Sequence, residues 1–357
     1  MNRLHQLRET LPQNIEDNKG YPNLEFIVLD YNSGDGMEEW MHNNMADQIK
    51  AGRITYYRTP DPEVFSHSHS KNMAFKLATG DIVCNINADH FTGKNFADYV
   101  NEQFNIDQKI VITPIDLLKT KANYNPPTDV LGKVCVKKSD FYKVTGFDEE
   151  MSNYGFEDCD FINRLEMNGL GKVFIENPYF LQFIGHTNEE RYSSEKLTNK
   201  VYAFYVHYIK PSKTEILFLY KNKTFELGTL IANSSISCDN PKSSFAGRNS
   251  LFEYSRQEAK WAEGIWNEDD IHLSLLNIQY KKGQINGCNT LSSEKDNKIY
   301  FKITDNQIIK DLSDFTHMYS SRVIMERNLS DKKIIVNQDF GKGLVYKNFN
   351  FEIPIYL

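Results

Sequence analysis

Apolar positions at Leu4, Leu7 and Leu11 fall on one side of a helix predicted over residues 3–17. The run Leu24-Glu-Phe-Ile-Val-Leu-Asp30 then reads as a buried strand, closed by the turn-forming stretch Asp30-Tyr31-Asn32-Ser33-Gly34-Asp35-Gly36. A helix is expected over about 37–50, a short strand over 53–58 and a helix over 69–79, with Gly80 as its stop. Residues 81–87 repeat the buried-strand pattern and end at Ala88-Asp89-His90. A helix near 94–104 and a strand over 109–115 follow. Strands alternating with helices predict an α/β fold with a mostly parallel sheet, which binds ligands beyond the carboxyl ends of its strands. Asp30 and Asp89 would then share one rim.

The texture changes near residue 212. Short strand-like runs at 216–220, 225–231, 271–278, 299–303 and 333–336 are separated by Asn-, Gly- and Lys-rich turns. Two domains are therefore expected, 1–211 and a β-rich module over 212–357. The Trp261-Ala-Glu-Gly-Ile-Trp266 stretch suits either a sugar-stacking platform or a packed core. Tyr-rich strands there are compatible with glycan binding or with a homodimer contact.

Composition narrows the function. Lys plus Arg number 41 against 48 Asp plus Glu, a net charge of −7, which argues against nucleic acid as a partner. Five widely spaced cysteines form no CxxC pair, so neither a zinc knuckle nor a disulfide framework is indicated. No transmembrane span and no signal peptide is seen, and the expected location is cytoplasmic, at the inner face of a membrane through a partner.

Several constellations can carry chemistry. Asn85-Ile-Asn-Ala-Asp-His90 ends a strand with a carboxylate suited to a divalent cation or simply with a polar turn. Ser70-Lys71-Asn72 places a cation at a helix start. Gly155-Phe156-Glu157-Asp158-Cys159-Asp160 sets three acids within four residues behind aromatics, and one of them can serve as a general base. Asp160 and Arg164 also have the spacing of a structural i,i+4 pair. His186 follows an apolar run, where a histidine is more often structural than a ligand.

In order and spacing, these stretches together resemble a GT-A-fold, family 2-like glycosyltransferase with a galactosyltransferase-type segment after it. The stretches are Ile27–Ser33, Ser70–Asn72, Gly80–Asp89, Gly146–Glu149, Gly155–Asp158 and His186, within roughly residues 1–210. The resemblance implies transfer of a sugar, galactose or N-acetylgalactosamine, from a UDP-sugar to a glycan or glycolipid in polysaccharide biosynthesis. It assigns Asp30 or Tyr31 to the nucleoside, and Lys71 and Asn72 to the nucleotide neighbourhood. Asn87 and Asp89 fall on the DxD metal motif, and His186 completes a site for manganese or magnesium. Asp158 is the base, Glu157 and Asp160 orient the acceptor or hold the loop, and Phe156 faces the acceptor. Here the first DxD carboxylate is replaced by Asn87, which still offers a carbonyl oxygen. In this fold an apolar strand leads into the first helix, and Met1 already stands at that helix, so the sheet is expected to lack its first strand. The rival expectations are a nucleotidyltransferase, for which no glycine-rich phosphate loop is found, and a non-catalytic glycan- or nucleotide-binding protein.

Overall fold

A computed structural model of the chain describes residues 1–114, 130–185, 201–210, 213–232, 252–254, 262–269 and 272–357. The chain forms two units. One comprises Met1–Glu195 together with Met318–Leu357, and the other Lys196–His317.

The first unit opens with α1 (Leu4–Asp17), β1 (Phe26–Tyr31), α2 (Met37–Asn44), α3 (Ala46–Lys50) and β2 (Ile54–Thr59). The helix expected over 37–50 is thus broken at Met45. α4 (His67–Leu77) starts where the Ser66 side chain accepts from the His69 N–H, an N-cap. β3 (Ile82–Cys84), α5 (Phe96–Ile106), β4 (Ile110–Thr113), β5 (Cys135–Lys137), α6 (Lys138–Lys143), α7 (Glu157–Met167) and β6 (Gly171–Phe174) follow. Glu157, Asp158 and Asp160 in the first turn of α7 complement its dipole.

The second unit runs from β7 (Val201–Lys210), β8 (Lys213–Tyr220), β9 (Thr224–Ala232), β10 (Phe252–Tyr254) and β11 (Ala262–Ile265) to β12 (Asn267–Glu268), β13 (His272–Leu275), β14 (Ile278–Ile285), β15 (Cys288–Ser293) and β16 (Ile299–Lys302). All pair antiparallel, in the order β10-β9-β8-β7-β16-β15-β14-β13-β12, with β11 also on β9. β11 and β12 lie near opposite ends of that order, yet only Trp266 separates them in sequence, so the sheet curls towards closure. Trp266 is fully buried and its Nε1 donates to the Tyr220 carbonyl at 3.1 Å. It is core, while Trp261 lies outside the described residues.

The 25-residue helix α8 (Asn306–Ser330), β17 (Leu344–Lys347) and β18 (Asn350–Tyr356) complete the chain. The return of residues 318–357 replaces the single boundary expected at 211: their contacts belong to the first unit. β17 adds antiparallel to β2. Lys333–Val336 forms no strand; instead the Val336 N–H donates to Thr145 Oγ1 at 3.1 Å.

The first unit holds two mixed sheets rather than one mostly parallel sheet, ordered β1-β2-β17-β18 and β3-β5-β4-β6. β1–β2 and β4–β6 are its parallel pairs. β1 and β3 each stand at an end of their sheet. Between Phe75, Val111, Val136 and the rings of Phe141, Phe147 and Phe161 lies one core, with Phe147 stacked on Phe161 at 4.2 Å.

One polar ladder fixes the chain after β3. Thr10, Asn14 and Asn18 recur every four residues along one face of α1. Thr10 Oγ1 donates to the Ala88 carbonyl at 2.6 Å and Asn14 Nδ2 to the His90 carbonyl at 3.0 Å. Asn14 Oδ1 accepts the Thr92 N–H, and Asn18 reaches Thr92 Oγ1 and the Ala97 N–H. The backbone around Asp89 is therefore held by side chains, as buried peptide groups off the ladder of a sheet must be.

Candidate active site

The acidic start of α7 meets the basic position of α4. Lys71 Nζ lies 2.9 Å from Glu157 Oε1 and 2.7 Å from Asp158 Oδ1, with Lys71 and Glu157 both buried. Burial disfavours the Lys71 charge, but the two carboxylates outweigh it and raise its pKa. Burial also opposes the Glu157 charge, yet the Lys71 ammonium and the His67 ring hold that carboxyl down at about 2. At Asp158 burial, helped by the Glu157 charge, wins over Lys71 and pushes the carboxyl up. Asp158 is the member of the pair more ready to take a proton.

The strand end that carries Asn87 reaches the same place. A β-carbon at Gly132 would stand 2.9 Å from Asn87 Nδ2 and 3.2 Å from Asp158 Oδ2. Only a glycine lets these two side chains close over that turn. Asn85 Nδ2 bridges Asn87 Oδ1 at 2.9 Å and the Gly132 carbonyl at 2.7 Å, which orients the amide. Asp89 is buried, its carbonyl accepts the Ile184 N–H, and its Oδ1 lies 3.8 Å from His90 Nε2. His186 lies outside the described residues.

Other expected site residues serve the scaffold. Asp30 is fully buried; its Oδ1 accepts the Ser33 N–H and its Oδ2 the Tyr56 hydroxyl, both at 2.8 Å. The Tyr31 hydroxyl contacts His69 Nδ1 at 2.8 Å. Asn72 clamps the loop before α7: it exchanges two hydrogen bonds with the Phe147 backbone and donates to Glu149 Oε1. Asp160 does not face an acceptor. It is buried between Arg164 Nε at 2.7 Å and Asn328 Nδ2 at 3.0 Å, because a carboxylate at that depth needs its own partners. Phe156 caps α7 at φ +66°, with the Arg322 guanidinium 6.0 Å from its ring.

The structure adds residues that local sequence did not single out. His67 Nδ1 is 3.8 Å from Glu157 Oε1, and its ring meets Phe65 and Tyr154 edge-on, at 4.6 and 5.3 Å. Asn328 joins Asp160 to Asp148 through Nδ2. Gly132 had no motif around it to mark it out. Nothing in the spacing of His67 and His69 pointed to a carboxylate 90 positions after His67.

For a divalent cation the donor chemistry fits sparsely. Asp89 and the Asn87 carbonyl are hard oxygen ligands, and a cation of the Mg²⁺ type takes one or two such protein groups with phosphate and water for the rest. Among the described residues no group of three His, Cys, Asp or Glu side chains forms a closed ion site.

Carboxylate, ammonium and amide groups thus meet around Gly132, residue types that general-base catalysis uses. Residues 1–159 match the model of glycosyl transferase family 2. A search of curated proteins gives no match. Among solved structures, GalNAc-T7 with UDP, GalNAc and Mn²⁺ aligns at 10% identity and TM-score 0.39, over 85% of this chain and 77% of that one. Staphylococcus aureus TarS aligns at 9% and 0.37, over 85% and 84%. The catalytic domain of Drosophila β1,4-galactosyltransferase 7 with xylobiose aligns at 14% and 0.27, over 52% and 90%. No helix among the described residues is long and apolar enough to cross a membrane.

Proposed function

We propose that this chain transfers galactose or N-acetylgalactosamine from a UDP-sugar to a glycan hydroxyl, with inversion, in polysaccharide synthesis. One observation carries the reading: Asn87, at the end of the strand segment before Asp89, and Asp158, at the start of α7, converge on Gly132 with Lys71 beside them. The family match supports the reaction class.

Asp158 accepts the proton of the acceptor hydroxyl as that oxygen attacks the anomeric carbon. The bond from that carbon to the diphosphate breaks, and UDP leaves from the opposite face. A single base opposite the leaving group suits inversion. The raised Asp158 carboxyl is better matched to this task than an ordinary exposed one. Glu157, held ionised, keeps Lys71 charged and placed. Asn87 and Asp89 would hold a divalent cation, which when bound offsets charge on the diphosphate.

The test is a panel of UDP-sugars with glycan acceptors, with and without Mn²⁺, reading released UDP. UDP release that requires one donor sugar and an acceptor is expected. No UDP release above background from any donor would leave a non-catalytic binding protein instead.

A further inference from the structure

We propose that an open cleft beside the carboxyl end of α1 is a subsite for a sugar unit of the acceptor glycan, at a distance from the unit that receives the new bond. The proposal rests on the glycosyl-transfer reading above. The cleft has a volume of about 410 Å³, within the range of small-molecule sites. Its walls include Gln13, Asp17, Phe91, Lys94, Tyr179 and Gln182.

The lining chemistry selects the ligand class. One acid and one base leave the lining without a dominant charge, which disfavours a phosphate or a polyanion. Three amides (Gln13, Asn177 and Gln182), a carboxylate and an ammonium offer donors and acceptors side by side. Gln13 Nε2 donates to Asp17 Oδ1 at 2.8 Å, which holds the two polar groups side by side. Tyr179 leaves 67% of its surface exposed, so its ring does little for the core. A pyranose shows a C–H face that stacks on such a ring and a hydroxyl rim that suits the amides and charges.

The cleft is built rather than incidental. Gly93, at φ +77°, has no space for a side chain: a β-carbon there would lie 2.6 Å from the Tyr179 carbonyl oxygen. Lys133, buried, donates from Nζ to the Phe91 carbonyl at 2.7 Å and to the Phe180 carbonyl, tying the two walls together. Asn177 Oδ1 accepts the Tyr179 N–H at 3.0 Å. Walls fixed in this way lower the ordering cost of binding.

Its position gives the direction of the glycan. The Phe91 N–H donates to the Gln182 carbonyl at 3.0 Å, and the Ile184 N–H to the Asp89 carbonyl at 2.8 Å. Cleft wall and Asp89 thus share one pair of backbone segments, two residues or about 7 Å apart. An acceptor bound near Asp89 thus has the cleft within reach of its next sugar units.

The experiment measures binding of short chito-, cello- and galacto-oligosaccharides to the full chain by saturation-transfer NMR and calorimetry. At least one series is expected to bind, with Tyr179→Ala weakening it about tenfold or more and Tyr179→Phe retaining it. Both variants change an exposed side chain, so their melting temperatures check that the fold is kept. No binding by any series, or equal affinity in Tyr179→Ala, overturns the subsite. UDP affinity on the same samples reads the donor site separately. UDP binding without glycan binding sinks the cleft alone. Tyr179-dependent glycan binding without UDP binding supports the cleft and counts against the donor reading.

Discussion

Lys71 Nζ sits 2.7 Å from Asp158 Oδ1, which joins the helix after β2 to the acidic helix 87 positions on. With Glu157 at 2.9 Å, one ammonium serves two carboxylates inside the protein. Lys71→Met leaves both acids buried without their shared ammonium, a change that costs about 3–5 kcal/mol for a buried pair. The sign of the pH dependence follows. Glu157, held at about 2 against an ordinary 4.5, contributes stability above the ordinary value, and that contribution is lost as pH falls through 2. In the variant the acids are relieved by protonation instead. The melting-temperature gap between wild type and Lys71→Met should be widest near neutral pH and should shrink below about pH 4. A gap independent of pH would show that the two acids are not paired through Lys71.

Gly132 offers a probe of the convergence itself. Its backbone is not in the left-handed region, so Gly132→Ala strains no dihedral. The added methyl stands 2.9 Å from Asn87 Nδ2 and 3.2 Å from Asp158 Oδ2. Turnover should fall roughly 10–100-fold, as small displacements at a reacting centre do, while the melting temperature moves little. Wild-type turnover in Gly132→Ala would separate Asn87 and Asp158 from the chemistry.

Asn328 tests the part played by the returning segment. Its Nδ2 donates at 2.8 Å to Asp148 and at 3.0 Å to Asp160, and all three are buried. Arg327 pairs with Glu150, and Ser320 and Ser321 bond Asn153. The loop that delivers Glu157 and Asp158 is thus braced by residues about 170 positions later. Asn328→Ala should cost about 1–3 kcal/mol in urea unfolding, the penalty of buried acceptors left without a donor. Turnover should fall with it. Truncation at residue 211 should remove the cooperative transition altogether, since β2 loses β17 and the loop loses its brace.

The strands and helices before residue 114 were legible because each carries its own period: apolar runs for β1 and β4, a three-to-four spacing for α1. The partners of the acids at the site were not legible. Lys71 reads as a solvated cation at a helix start, and Asn72 as a neighbour of the nucleotide, until residues 75 or more positions away are folded onto them. α8 was missed because its strand-like surroundings set the expectation and its apolar residues are interrupted by polar ones. Lys333–Val336 has the apolar composition of a strand but meets Thr145 and Arg164 rather than a neighbouring strand. Sequence period reports which face is apolar, not which segment will cover it.

The most direct test of the account is Asp158→Asn, with sugar transfer and UDP affinity measured on one preparation. The side chain keeps its shape and its place beside Lys71 and loses the ability to take a proton. Transfer should drop by about 10²–10⁴-fold, the usual contribution of a general base, with the Kd for UDP within a few-fold of wild type. Transfer at the wild-type rate in Asp158→Asn would contradict the assignment of the base, and with it the reading of this site.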